Sequence, residues 1–108
     1  MANRFTPDIL LQTEDIAAAA AFYVDTLGFE ITDETPDLVS LHGPSINLFI
    51  HRGPSLPGPV LEVVVDDAAD ARARLTQAGC EVVRDDEVHE VRRCYVKDRY
   101  GLIYNLAE

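Results

Sequence analysis

Asp8, Gln12, Asn47 and His51 occupy alternate positions of two short apolar segments, and Glu62 lies in a third. Asp8 and Glu62 are the two carboxylates an acid–base pair needs, one to take a proton and one to give it. They serve equally as plain anionic anchors for a basic ligand. His51 can act as a general base, hold a divalent ion, or simply end its strand near a turn. His42 stands beside the Gly43-Pro44 turn and reads as solvated. His89 lies in DDEVHEVRR, where a neighbouring carboxylate would hold it charged. Tyr95, Tyr100 and Tyr104 crowd one hairpin, where core packing and stacking on a flat ligand both stay open. Arg92 and Arg93 read as a solvated pair, with Arg93 in reach of a bound anion, and Asp98 and Gly101 as makers of the hairpin turn.

The elements that position these groups follow from apolar periodicity. In Asp8–Thr13 (DILLQT), Ile9, Leu11 and Thr13 point one way and Asp8, Leu10 and Gln12 the other. In INLFIH, Ile46, Leu48 and Ile50 suit a helix-covered face, and Asn47, Phe49 and His51 the opposite one. Thr13 or Asp15 can cap a helix whose buried stripe is Ile16, Ala20, Tyr23 and Leu27, and Gly28 can end it. Strands over Phe29–Thr32 and Asp37–His42 follow. The second series starts with Val60–Val65, and Asp66 or Asp67 caps a helix with the stripe Ala68, Ala71, Leu75 and Ala78, stopped by Gly79. Glu81–Arg84 is a strand, Asp85–Glu90 an exposed loop, and Val91–Lys97 with Leu102–Leu106 a closing hairpin.

The second series restates the first, with Gly79 standing 51 positions after Gly28. Such a unit cannot bury its own sheet face alone, so two βαβββ modules should form one α+β domain. Module one is expected over about 6–51 and module two over about 60–108. Between them Arg52–Pro59 holds three prolines and two glycines, the composition of a linker. A chain of 108 residues with 47% hydrophobic and 26% charged residues is ordinary for a folded domain. Its net charge of −10 argues against nucleic acid, whose phosphates need Lys and Arg, and is compatible both with a cationic ligand and with a surface that acid simply keeps soluble. No apolar stretch reaches the ~20 residues of a membrane span, and no charged-then-apolar leader opens the chain, so a cytoplasmic location is expected. Cys80 and Cys94 are spaced as small hydrophobes rather than as a redox or zinc pair.

AFYVDTLGFEI (Ala21–Ile31), VVVDDAADARARLTQAGCEVV (Val63–Val83) and VKDRYGLIYNLAE (Val96–Glu108) resemble the vicinal oxygen chelate superfamily of glyoxalase I, bleomycin-resistance proteins and extradiol dioxygenases. The resemblance spans essentially the whole chain. It implies a cupped sheet of two βαβββ modules with helices outside and a ligand in the concavity. Metal-dependent members place one ligand on the first and last strand of each module. Carried over singly, those positions fall on Asp8, Asn47, Val60 and Asn105. Valine has no donor atom, and neutral amides are poor partners for zinc, nickel or iron. The resemblance therefore implies no metal and no cofactor at the usual place, and a cup lined by Leu10, Gln12, Phe49, His51, Glu62 and Val64 besides those four.

Three readings stay open. In the first, the chain binds a small organic ligand, cationic if the charge is a guide, as resistance-type sequestering proteins do, with Asp8, Leu10, Gln12, Asn47, Phe49, His51, Glu62 and Asn105 as contacts. In the second, it is a divalent-metal-dependent lyase or dioxygenase with a displaced site, for example Asp8, His51 and Glu62. In the third, the cup is filled by side chains and the domain is a structural partner. The resemblance also implies a homodimer, with modules paired within or between chains.

Overall fold

The structure, a computed structural model, describes residues 3–88 and 91–108. The elements run β1 (Arg4–Thr13), α1 (Ile16–Leu27), β2 (Glu30–Glu34), β3 (Leu38–His42), β4 (Asn47–Arg52), β5 (Val60–Val64), α2 (Ala68–Gln77), β6 (Glu81–Val88), β7 (Val91–Lys97) and β8 (Ile103–Ala107). This is βαβββ stated twice, an α+β fold. His89 and the end of the acidic segment lie outside the described residues.

Residues 7–59 form one compact unit, the first module. Its strands are ordered β2-β3-β4-β1, with β1 and β4 parallel and the other pairs antiparallel. Apolar alternation sets the core, because Val39, Leu41, Leu48 and Ile50 all turn toward Ile16 and Ala20 of α1. Asp15, not Thr13, caps α1, its Oδ1 accepting from the Ala18 N–H at 3.0 Å. Gly28 ends the helix at φ 79° and donates its N–H to carbonyls of the last turn, a left-handed geometry that costs other residues about 1–2 kcal/mol. Leu27 departs from the expected stripe and is 59% exposed, because it lies a turn beyond Tyr23 and Val24, which do pack on the core. Ile46 is likewise half exposed, since β4 begins only at Asn47. Gly43 is required by packing: a Cβ there would sit 2.6 Å from the Phe29 ring. Arg52 ties three stretches together, donating from Nε and Nη2 to the Pro36 carbonyl and from Nη1 to that of Glu14.

The second unit comprises residues up to 6 together with 60–108. Its order is β5-β8-β7-β6, with β5 and β8 parallel. Val63, Val65, Cys94, Val96 and Leu106 face Ala71 of α2. Asp67 rather than Asp66 caps α2, accepting from Asp70 N–H at 3.1 Å. Ala78, expected in the buried stripe, is the exposed C-cap instead, with Gly79 at φ 101° after it.

The largest departure from expectation is β6, which runs on through Val88 where Asp85 onward reads as a loop. Pairing explains it. The register sets Asp85, Asp86 and Glu87 against Cys94, Arg93 and Arg92 of β7. Asp85 is bound by Arg72 and Arg92, and Asp86 by Arg84 at 3.0 Å, so the acids are held by arginines from three elements. Arg92 is solvated as expected, its side chain 65% exposed, and is paired with Asp85 as well. Both cysteines are free thiols, Cys94 buried and Cys80 half-buried. Burial, then the Asp85 charge, pushes the Cys94 thiol above its usual range.

The β7–β8 turn is held by Asp98, whose carboxylate accepts from the Tyr100 and Leu102 N–H groups and from the Tyr104 hydroxyl at 2.6 Å. The Tyr104 hydrogen bond, more than the backbone ones, holds Asp98 below the usual carboxylate range. Burial, then the same bond, raises Tyr104 above the usual phenol range. The three tyrosines thus part company: Tyr95 is buried, Tyr104 braces the turn and Tyr100 is 84% exposed. Among the described residues no helix is long and apolar enough to cross a membrane.

Candidate ligand-binding face

With the core residues of β1, β3 and β4 turned to α1, the alternate residues share the helix-free face of the first module. Register arranges them in three rows across β1, β4 and β3: Asp8–Asn47–His42, Leu10–Phe49–Ser40 and Gln12–His51–Leu38. A polar row, an apolar band and a second polar row follow one another at two-residue spacing, about 6.6 Å apart. Asp8, Leu10, Gln12, Asn47, Phe49 and His51 all lie where alternation sets them.

The first row is a hydrogen-bonded chain. Asn47 Nδ2 donates to Asp8 Oδ1 at 3.0 Å, and Asn47 Oδ1 lies 2.9 Å from His42 Nδ1. An ionised carboxylate only accepts, so the network assigns the amide's NH₂ to Asp8 and its oxygen to His42. His42 Nδ1 is then the donor of this bond. His42 is therefore no idle turn residue. The signal was present in the sequence: Val39 and Leu41 alternate into the core, which puts His42 on the face of Asn47.

In the third row Gln12 Nε2 donates to the Pro54 carbonyl at 2.8 Å, which packs the start of the linker segment against β1. Gly53 follows from this contact, since a Cβ there would lie 2.9 Å from the Gln12 amide.

On the helix-free face of the second module the corresponding row reads Glu62–Asn105–Tyr95–Arg84 across β5, β8, β7 and β6. The Arg84 guanidinium lies over the Tyr95 ring, 5.5 Å from its centroid. Asn105 Oδ1 accepts from the Cys94 N–H at 3.4 Å. Val60 pairs with Ile103, two residues before Asn105, so the residue beside Asn105 is Glu62. Each module thus sets a carboxylate next to a carboxamide on neighbouring parallel strands, Asp8 with Asn47 and Glu62 with Asn105.

These donors do not fit a metal of the usual kind. Asn47 turns its NH₂ to Asp8 and its oxygen to His42, Asn105 turns its oxygen to a backbone N–H, and Val60 offers nothing. A displaced site built on Asp8 and His51 meets a distance problem. The two stand four residues apart along the paired strands, about 13 Å. Among the described residues no three His, Cys, Asp or Glu side chains are grouped to hold an ion.

The sequence pattern of the Glyoxalase/Bleomycin resistance protein/Dioxygenase superfamily matches residues 6–104, and the chain belongs to that family. Among solved structures it is similar to a superfamily member from Vibrio splendidus, at 20% identity over 97% of both chains with a TM-score of 0.65. It is also similar to homoprotocatechuate 2,3-dioxygenase from Brevibacterium fuscum, at 24% identity and a TM-score of 0.59, covering 96% of this chain and 35% of that one. The fold recurs too in a protein described as an NAD-dependent benzaldehyde dehydrogenase from Legionella pneumophila, with 12% identity, 99% and 100% coverage and a TM-score of 0.68. At these identities the likeness is one of fold. No curated protein matches the chain.

Proposed function

We propose that the chain binds a small organic cation on its helix-free face, as a sequestering protein of the resistance type, without a metal at the family's usual position. The observation that carries this reading is the Asp8–Asn47–His42 row. Its amide is committed at both ends, which leaves a fixed carboxylate rather than a set of metal donors. The apolar band of Leu10 and Phe49 beside it offers a surface for the ligand's body, and an aromatic face attracts cations. The net charge of −10 draws such a ligand in. Glu62 beside Asn105 supplies the same pairing on the second module. His51 and Gln12 frame the far side of the apolar band.

Benzyltrimethylammonium tests this. Titrated into isotope-labelled protein, it should shift the signals of Asp8, Leu10, Asn47 and Phe49 to saturation, and Asp8→Asn should weaken binding about tenfold. Saturating shifts elsewhere, or equal affinity in Asp8→Asn, would defeat the reading. We propose further that the chain works as a cytoplasmic homodimer, as the family resemblance implies. Light scattering at micromolar concentration should give twice the chain mass, and a monomer would refute the dimer.

A further inference from the structure

The opposite side of the second module holds a feature the reading above does not use. Between α2 and the β5–β8 pair lies an open cavity of about 300 Å³. Val63, Val65, Ala71, Leu75 and Leu106 line its interior, all members of or packed on the module's core cluster. Protein interiors close voids of this size, because an unfilled apolar wall loses its dispersion partners. Here α2 offers the strands only small or partly buried side chains, Ala68, Ala71 and Leu75. Phe5 and Leu102 stand at the cavity 56% and 40% exposed, with Phe5 edge-on to the Tyr104 ring at 6.3 Å.

The lining is apolar but not blank. Among the described residues Arg74 is the one charged group at the lining, with the Asn3 carboxamide also there. Arg74 contacts Asp70 through Nε at 3.1 Å, and its side chain is 61% exposed, so the guanidinium's terminal nitrogens can serve a second acceptor. A guanidinium fork matches a carboxylate. No carboxylate lines the cavity among the described residues, so an acid finds a partner in Arg74 there and a cation finds none.

We propose that this cavity is a separate binding site for a small carboxylate with a compact apolar body, a branched-chain or monocyclic acid, its body against Val63, Leu75 and Leu106 and its carboxylate on Arg74. The volume sits at the lower end of small-molecule pockets, about 300–1,000 Å³, which limits the ligand to a small acid.

The test is a methyl-resolved NMR titration of the full chain with 4-methylpentanoate and, separately, its neutral amide. The acid should move the Val63, Leu75 and Leu106 methyls to saturation, with the amide about tenfold weaker. Arg74→Gln, at an exposed helix position that does not threaten folding, should reduce the acid to the affinity of the amide. Ala71→Leu, which fills the cavity, should abolish both. No saturation at millimolar acid, equal affinity for acid and amide in the unaltered chain, or an unchanged acid affinity in Arg74→Gln would each overturn the proposal. So would movement of the same methyls on raising protein concentration alone, which would mean that a second copy covers the cavity. Benzyltrimethylammonium binding on the other face is a separate readout and survives or fails independently.

Discussion

The two modules share one pattern and use it differently. In the first, α1 brings Ile16, Ala20, Tyr23 and Val24 down onto β3 and β4, and the opening of about 310 Å³ beside Ala19 and Tyr23 is bordered by the linker residues Ser55, Leu56, Gly58 and Pro59, with no charged side chain at it among the described residues. In the second, α2 offers Ala71 and Leu75 to the equivalent strands, and a cavity remains with Arg74 beside it. The helix-free faces differ as well. The first module locks its carboxylate into a side-chain row ending in His42, whereas Asn105 of the second turns to a backbone N–H and its row continues to Tyr95 and Arg84. Duplicating a βαβββ unit therefore fixes where side chains stand and leaves their chemistry to a few positions.

The sharpest way to break this contrast is to truncate the cores. Leu41→Ala, at a fully buried position away from either opening, should cost about 3–4 kcal/mol, and Leu106→Ala, beside an existing opening, only about 2 kcal/mol. Urea denaturation of both variants decides it, and equal losses would mean the second layer is as well packed as the first. The helix stops should instead behave alike. Gly28→Ala and Gly79→Ala meet no neighbouring atom, so each should lose about 1–2 kcal/mol from backbone strain alone. A clear inequality between their melting curves would locate an interaction the structure does not contain. For the polar rows, Asn47→Leu strips partners from both Asp8 and His42 and should cost about 1 kcal/mol, while Asn105→Leu, losing one long contact, should cost about half that. The reverse order would dissolve the distinction between the rows.

The smallest effect belongs to the second module alone. Asp98 is held below the usual carboxylate range by Tyr104 and backbone N–H groups. A carboxyl lowered by folding stabilises the fold above the unfolded value, and that contribution fades as pH falls through the lowered one. Melting temperatures taken between about pH 4 and pH 2 should fall less steeply for Asp98→Asn than for the unaltered chain. An identical slope would show that other groups govern the acid limb.

Much of this was legible in the residues. Apolar alternation put Asp8, Leu10 and Gln12 on one face with Asn47, Phe49 and His51, and Gly28 announced the helix stop. What alternation cannot give is pairing. Asp85, Asp86 and Glu87 read as loop because their arginine partners lie on α2, on β6 and across a hairpin. That Glu62 rather than Val60 stands beside Asn105 depends on the register between two parallel strands, which spacing from the helix cap does not reveal. His42 was legible in principle, but its bond to Asn47 depends on which residue of β3 faces β4.

The central claim is that a carboxylate fixed by a carboxamide, not a metal, holds the ligand. The melting temperature of chelator-treated protein, with and without benzyltrimethylammonium, tests it most directly, because a ligand that binds only the folded chain raises its stability. A carboxylate-held ligand should give a concentration-dependent rise that chelation leaves untouched and that Asp8→Asn largely removes. A rise that appears only after a divalent cation is restored would contradict it.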